Sequence, residues 1–138
     1  MPGASVMPAD PYVYAVLRVV PKVERGECLN IGVVLFCRPR RFLDARFELD
    51  RDRLRAFAPD LDLDGVARQV GMISGVVAGT AAGDALAEQS QAERFGWMVS
   101  PASTVVQPGP VHAGLTSDPG ATLARLFEDL VQLPVADA

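Results

Sequence analysis

The sequence predicts a single α+β domain with a mainly antiparallel sheet that begins with an N-terminal hairpin and is packed by helices. Strand-forming runs come first and helical runs follow, instead of the regular alternation that marks a parallel sheet. A chain of 138 residues, of which 49% are hydrophobic, has the size and composition of one domain with one core. We place the domain at residues 12–133, between a flexible tail at 1–11 and a C-terminal tail at 134–138.

Two strands joined by a short turn make up the predicted N-terminal hairpin. Tyr12 to Val20 is rich in β-branched and aromatic residues and ends at Pro21. Both of its faces are apolar, which indicates a central strand. Cys28 to Cys37 is the second strand, and the short connection between the two predicts antiparallel pairing.

The second strand contains two residues that strands usually avoid, Asn30 and Gly32. Their presence indicates a bulge, a close approach of backbone or a required polar contact. If the turn centres near Glu24, Arg18 faces Asn30 and Val16 faces Gly32 across the hairpin. Arg18, Asn30 and Gly32 would then share one face of the sheet.

The middle of the chain begins with a third strand and continues with helices. Phe42 to Leu49 alternates apolar and polar residues, which predicts a strand with one face in water. Asp50 opens a short helix that runs to Phe57, and a longer helix extends from about Gly65 to Thr80 with an acidic cap before it.

Three glycines, Gly71, Gly75 and Gly79, fall at a spacing of four on the longer helix and so share one face. This stripe favours close packing against the sheet or a weak helix over a functional interface. Val70 to Ala82, the most apolar long stretch, is shorter than the ~20 apolar residues that cross a bilayer. We therefore expect no membrane span.

The last third of the chain combines a helical or irregular piece, short extended segments and a final helix. Ala85 to Phe95 is predicted to be helical or irregular, and Trp97 to Val99 and Thr104 to Gln107 are predicted to be extended. Asp118 followed by Pro119 is typical of a helix start, and apolar residues then recur on one face through Val131. The C-terminal helix is therefore amphipathic.

Cysteine and histidine content argues against a disulfide and against a metal or cofactor site. Cys28 and Cys37 lie nine positions apart on one predicted strand, too far to pair if that strand is continuous. The chain has one histidine and no CxxC motif. Free thiols and the absence of a signal-like N-terminus lead us to expect a cytoplasmic protein.

The net charge of −4 argues against generic nucleic-acid binding, but the charge is unevenly distributed. The segment from Arg18 to Arg55 holds ten of the thirteen basic residues and six of the seventeen acidic residues. This local excess could mark a surface for an acidic partner, although an Arg-rich composition alone would also produce it.

Two parts of the sequence resemble a bacterial family of uncharacterised proteins, domain of unknown function 3037. The first is the Tyr12-x-Tyr14-Ala-Val-Leu-Arg18 strand with the run from Glu24 to Phe36. The second is Thr104-x-Val-Gln107 with Val111-His112-x-Gly-Leu115 and the final helix. The resemblance implies a small bacterial protein without an established activity, and it suggests a HipA-like, kinase-fold protein as a partner.

Eight polar residues are candidates for a binding site, and none is predicted to be catalytic. They are Arg18, Glu24, Arg25, Glu27, Asn30, Arg94, Gln107 and His112. The first hypothesis is a binding or regulatory module that holds a protein partner or an anionic ligand, since arginine suits carboxylate and phosphate groups. A homodimer is compatible with this reading.

Two other interpretations of the same residues stay open. An enzyme acting on phosphate or nucleic acid would place Arg25 and His112 in one pocket. Alternatively, Arg18 bonded to Asn30 or Glu27 would only stabilise the hairpin. Solvent access to Arg18, Glu27 and Asn30 distinguishes a binding site from an internal polar cluster.

Overall fold

A computed structural model describes residues 8–102 and 104–134, and these form an α+β domain around one antiparallel sheet. The strands are β1 (Asp10–Val19), β2 (Leu29–Cys37), β3 (Phe42–Phe47), β4 (Val106–Pro108) and β5 (His112–Thr116). The α-helices are α1 (Arg51–Phe57), α2 (Leu63–Ala78), α3 (Gln91–Val99) and α4 (Pro119–Leu130). The predicted fold class is confirmed.

Strand β1 is the centre of the sheet. Along one side it pairs with β2, and along the other it pairs with β5 over its first half and with β4 over its last three residues. Strand β3 pairs with the outer side of β2. The predicted hairpin and the central position of its first strand are thus both present.

The sheet carries helices on both faces, and the alternation along each strand decides which residues meet them. On one face Val33, Leu35 and Cys37 pack with Leu123 and Phe127 of α4. On the other face a second cluster combines strand and helix residues, namely Ala15, Leu17, Val34, Phe36, Leu43, Val77, Phe95 and Met98. The core is therefore two apolar layers separated by one sheet.

Each α-helix begins at a side-chain cap that the sequence supplies. Asp50, Asp62, Ser90 and Asp118 accept a hydrogen bond from the backbone N–H three residues on. The predicted starts at Asp50 and Asp118 are confirmed, and Asp62 is the acidic cap of α2.

The prediction that Trp97 to Val99 is extended was wrong, because these residues end helix α3. Phe95 and Met98, three residues apart, are buried against the sheet, so helical spacing satisfies both at once. This packing outweighs the strand preference of Trp97, whose side chain is 36% exposed.

The three glycines of the predicted stripe have three different environments. A Cβ atom at Gly75 would lie 2.4 Å from the backbone nitrogen of Gly83, whereas one at Gly71 would meet nothing within 4 Å. Gly79 ends α2 with a φ of 71°. The stripe therefore does not act as a unit, and Gly75 alone permits a close contact, with the 3-10 segment Ala81–Glu88 rather than with the sheet.

By length and composition, one segment of the described residues could cross a membrane, Leu63–Glu88. In the fold this segment is interrupted at Gly79 and returns along itself through the contact between Gly75 and Gly83. Core helices pass the same test of length and composition, so it is weak evidence for a span.

Candidate functional site

One face of the sheet is only partly covered by α4, which packs on the β2 and β3 side. Towards the part that α4 leaves uncovered, β1 presents Tyr14, Val16 and Arg18, and the paired strands add Gln107 and His112; Tyr14 also packs against the cluster formed with α4. We call these five residues the open face. Four are half-buried and His112 is exposed.

The register of the sheet places four of the eight candidate residues on the same face as Tyr14. They are Arg18, Asn30, Gln107 and His112. Arg18 pairs with Asn30 on β2 and with Gln107 on β4, and His112 pairs with Tyr14. Directly paired residues of antiparallel strands point to the same face. The predicted pairing of Arg18 with Asn30 is confirmed.

The predicted position of Gly32 was wrong. The pairing shifts between Leu17 and Arg18, so that Ile31 is an extra residue in β2 and Gly32 pairs with Leu17 instead of Val16. Gly32 consequently lies on the opposite face, where a Cβ atom would come within 2.5 Å of the Phe47 ring. It is required for packing and contributes nothing to the open face.

Arg18 is the least satisfied side chain of the open face. Its Nε is buried and has no hydrogen-bond partner among the described residues, and no acidic side chain in residues 8–102 and 104–134 forms an ion pair with it. Gly109 lies beside it, since a Cβ atom there would be 3.5 Å from the Arg18 Cζ. A half-buried guanidinium without a counter-charge can accept a carboxylate or a phosphate from outside.

Asn30 and Gln107, which flank Arg18, have internal bonds. Asn30 Nδ2 donates to the carbonyl oxygen of Leu130 at the end of α4, at 3.1 Å. Gln107 Nε2 donates to the carbonyl oxygen of Thr104, at 2.9 Å. Asn30 thus joins β2 to α4, whereas Gln107 bonds only within its own segment, and neither neutral amide supplies a counter-charge to Arg18.

The far end of the open face is an aromatic pair. The rings of Tyr14 and His112 lie 5.2 Å apart between centroids, at an angle of 31°. Arg18 and Tyr14 are separated by four residues of β1, or about 13 Å. The open face is therefore long enough to contact several residues of a partner.

Three more candidates, Glu24, Arg25 and Glu27, lie in the exposed turn between β1 and β2. The Arg25 side chain donates to the Glu27 carboxylate, and this hydrogen bond and ion pair lower the pKa of Glu27 and raise the pKa of Arg25. This ion pair is internal to the turn, so Arg25 and Glu27 are each other's charged partners.

The turn also forms one wall of a cleft of about 470 Å³, whose other wall is the segment after α1. Its apolar residues are Pro21, Phe57, Ala58, Pro59, Leu61 and Val105. Its charged residues are Lys22, Arg25, Glu27, Asp60 and Asp62. Because acidic side chains outnumber basic ones, the cleft does not select for anions.

Arg94 belongs neither to the open face nor to the cleft beside the β1–β2 turn. Its Nη1 donates to the carbonyl oxygens of Val76 and Val77 at the end of α2, both at 3.0 Å. Such a cation satisfies the last carbonyls of a helix and interacts favourably with its dipole. The structure gives Arg94 a role in joining α3 to α2, on the side of the sheet opposite to the open face.

Arg25 and His112, which an enzyme would need together, are far apart. His112 pairs with Tyr14, and five residues of β1, or roughly 16 Å, separate Tyr14 from the end of the strand before the turn. Among the described residues, no group of three or more His, Cys, Asp or Glu side chains could hold a metal ion.

Sequence reasoning missed Tyr14 and Gly109 as parts of the site. The sequence places Tyr14 on a strand face, but its ring contact with His112 depends on the pairing of β1 with β5, which spans about a hundred residues of sequence. In the sequence, Gly109 lies in the run Pro108-Gly109-Pro110, which predicts only a break after the preceding extended segment. Its place between two prolines was the available signal that the backbone turns close to another element.

The described residues form a small α+β domain in which one sheet face is only partly covered by a helix. The chain belongs to the family described as protein of unknown function (DUF3037), whose family model matches residues 14–131. The resemblance seen in the sequence is thereby confirmed. No curated protein and no solved structure was found to match the chain.

Proposed function

We propose that this protein is a bacterial, cytoplasmic binding module that holds a protein partner through the open face, with Arg18 receiving an acidic group of that partner. The observation that carries the proposal is the half-buried Arg18 guanidinium, which lacks a counter-charge within residues 8–102 and 104–134. Leaving a buried donor unpaired costs about 1–3 kcal/mol, more for a charged group. An external carboxylate would supply the missing counter-charge on binding.

Shape supports a protein partner over a small anion. Arg18 lies on a strand in a sheet face, and it does not line the cleft beside the β1–β2 turn. Small ligands are usually enclosed by concave sites, whereas flat faces with an aromatic and an arginine anchor are typical of protein interfaces. The Tyr14–His112 pair supplies the aromatic anchor.

The family resemblance suggests which partner to test first, a HipA-like, kinase-fold protein of the same cell. The alternative enzyme has less support, because His112 pairs with Tyr14, and roughly 16 Å of strand separates Tyr14 from the end of β1 that leads into the turn with Arg25. Arg94 is excluded from the proposed interface because it lies away from the open face: its Nε is also buried without a partner, but its Nη1 is bound to the end of α2.

The test compares wild type with Arg18→Gln and Arg18→Lys in a quantitative pull-down, followed by titration calorimetry with the purified partner. Arg55→Gln is the matched control, since Arg55 is an exposed arginine with one weak ion pair to Asp52. We expect Arg18→Gln to weaken binding about tenfold or more, and Arg18→Lys less, because lysine keeps the charge without the planar fork.

Equal affinities for wild type and a folded Arg18→Gln variant would refute the assignment. A second measurement distinguishes an acidic group of a protein partner from a small anionic ligand. It follows the thermal unfolding of the protein with added phosphate or dicarboxylate. An increase in melting temperature that disappears in Arg18→Gln would replace the protein partner by a small anionic ligand.

A further inference from the structure

Strand β5 forms an open edge of the sheet. It pairs with β1 alone, and its outer side meets no other strand among residues 8–102 and 104–134. The strand, His112–Thr116, carries no proline and no Lys, Arg, Asp or Glu. Natural sheets usually protect such an edge with charge, proline or a covering element.

Along β5, alternate residues direct their backbone N–H and C=O groups toward β1 and away from it. Pro11 on β1 shows which residues of β5 point away. Pro11 pairs with Leu115 but has no N–H to donate, so this pair cannot exchange hydrogen bonds directly. The carbonyl oxygen of Pro11 instead accepts from Cys37 Sγ, at 3.5 Å, on the β2 side. The N–H and C=O groups of Leu115, and of Ala113 two residues before, therefore point away from β1.

The side chains of this edge are apolar and exposed on one face. Leu115 is 72% exposed and Val111, just before the strand, is 46% exposed. Ala113 is exposed as well. Between the two outward residues lies Gly114, whose missing side chain leaves room for the Tyr12 ring, since a Cβ atom there would be 2.6 Å from the Tyr12 hydroxyl.

We infer that this edge pairs with β5 of a second copy of the chain, antiparallel and centred on Gly114. A two-fold axis through the Gly114 pair sets Ala113 opposite Leu115 of the other copy, and Leu115 opposite Ala113. These are the two residues whose backbone groups point outward, so each copy donates and accepts the same bonds.

Side-chain size and charge favour a second copy over an unrelated strand. The axis places the large Leu115 beside the small Ala113 on each side, and the central pair, where side chains come closest, consists of two glycines. Although the chain carries a net charge of −4, the edge itself has no formal charge to repel its symmetry mate. The product is one continuous sheet across two domains.

The size of this contact sets its strength. One strand pair buries less than a standard stable interface, so the dimer is expected to form reversibly and to depend on concentration. It does not involve Arg18. Although His112 belongs both to β5 and to the open face, a Leu115 variant tests the dimer without changing any residue of the open face.

The first test is sedimentation velocity over a wide concentration series with wild type, Leu115→Lys and Val23→Lys. Val23 is the matched control, because it is 67% exposed but lies in the β1–β2 turn. We expect wild type and Val23→Lys to shift from monomer to dimer as concentration rises, and Leu115→Lys to stay monomeric. A monomeric wild type at every concentration, growth beyond a dimer, or a dimer that survives Leu115→Lys would overturn the inference.

Amide hydrogen exchange by NMR tests the register in the unmodified protein. Gly114 is bonded to Tyr12 within the chain, so its amide should exchange slowly at all concentrations. The Ala113 and Leu115 amides should exchange fast in dilute samples and slowly in concentrated ones. Fast exchange of both amides in a sample that is dimeric by sedimentation would place the contact elsewhere and refute pairing through β5.

Discussion

Asn30 Nδ2 donates to the carbonyl oxygen of Leu130 across 3.1 Å, which joins a central strand to the end of the C-terminal helix. The two residues are a hundred positions apart in the sequence. Arg53 adds a second donor from α1 to the next carbonyl, that of Val131, at 3.3 Å. Carbonyls at a helix end lack partners within the helix, so these two side chains complete the end of α4.

Replacing Asn30 by Ala should therefore destabilise the protein without abolishing the fold. We expect a loss of about 1–2 kcal/mol in the free energy of unfolding, because the Leu130 carbonyl is left without its donor. Urea denaturation with an unchanged m value would measure it. Gln107→Ala is the control, since its amide bonds only a carbonyl three residues away. Equal losses for both variants would show that the Leu130 contact is unimportant.

The hairpin shows how far the sequence could specify this site. Turn position and strand alternation were sufficient to pair Arg18 with Asn30, because both depend on local sequence. They were insufficient for Gly32, because the extra residue at Ile31 shifts the register and brings Gly32 beneath the Phe47 ring. Asn30 and Gly32 indicate a bulge or a close backbone approach in the sequence, but not the position of the extra residue, which depends on packing with β3.

Long-range contacts explain the other differences. The sequence makes Arg94 a candidate binding residue. In the structure, helix α3 lies against α2 and brings the Arg94 guanidinium to the Val76 and Val77 carbonyls. The sequence predicts an extended conformation for Trp97, but Phe95 and Met98 pack together on the sheet and hold this segment in a helix. In both cases tertiary packing overrides a residue's local preference.

Arg94 should consequently affect stability and not partner binding. Arg94→Ala removes a charged donor from two carbonyls, which we expect to cost about 1.5–3 kcal/mol. Arg94→Lys should recover part of this loss, since the ammonium still interacts with the helix end. Thermal and urea unfolding measure the cost, and calorimetry with the partner measures binding. A folded Arg94→Ala variant with weakened binding would return Arg94 to the site.

Replacing Gly71 or Gly75 of α2 by alanine should change the free energy of unfolding in opposite directions. Gly71→Ala adds a methyl group in open space within a helix, and should stabilise by about 0.5–1 kcal/mol. Gly75→Ala forces a methyl group against the backbone of Ala82 and Gly83, at 2.5 and 2.4 Å respectively, and should destabilise by about 1–3 kcal/mol. Urea unfolding of the two variants provides the comparison. Shifts of the same sign would contradict the close contact between α2 and the segment that follows it.

The pKa of Glu27 reports the ion pair of the β1–β2 turn. The Arg25 side chain donates to the carboxylate and lowers its pKa, so the pair favours the folded state above the unfolded-state pKa. That contribution disappears as pH falls through the folded-state pKa. NMR titration of the Glu27 carboxyl should give a lower pKa in wild type than in Arg25→Gln, and added salt should narrow the difference. Identical values at low salt would show that the pair does not form in solution.

The two cysteines should differ sharply in reactivity. Cys37 has no exposed surface and points its Sγ toward the Pro11 carbonyl, whereas Cys28 is exposed at the end of the turn. Both are free thiols, as the sequence predicts. A thiol reagent should therefore modify Cys28 rapidly in the native protein and Cys37 only on unfolding, because the reagent must reach the sulfur. In Cys28→Ser the rapid phase should disappear and the slow phase should remain. Rapid modification of Cys37 under native conditions would mean that the start of β1 separates readily from β2. The assignment of the outward-pointing backbone groups of Ala113 and Leu115, which uses the Cys37–Pro11 contact, would then need revision.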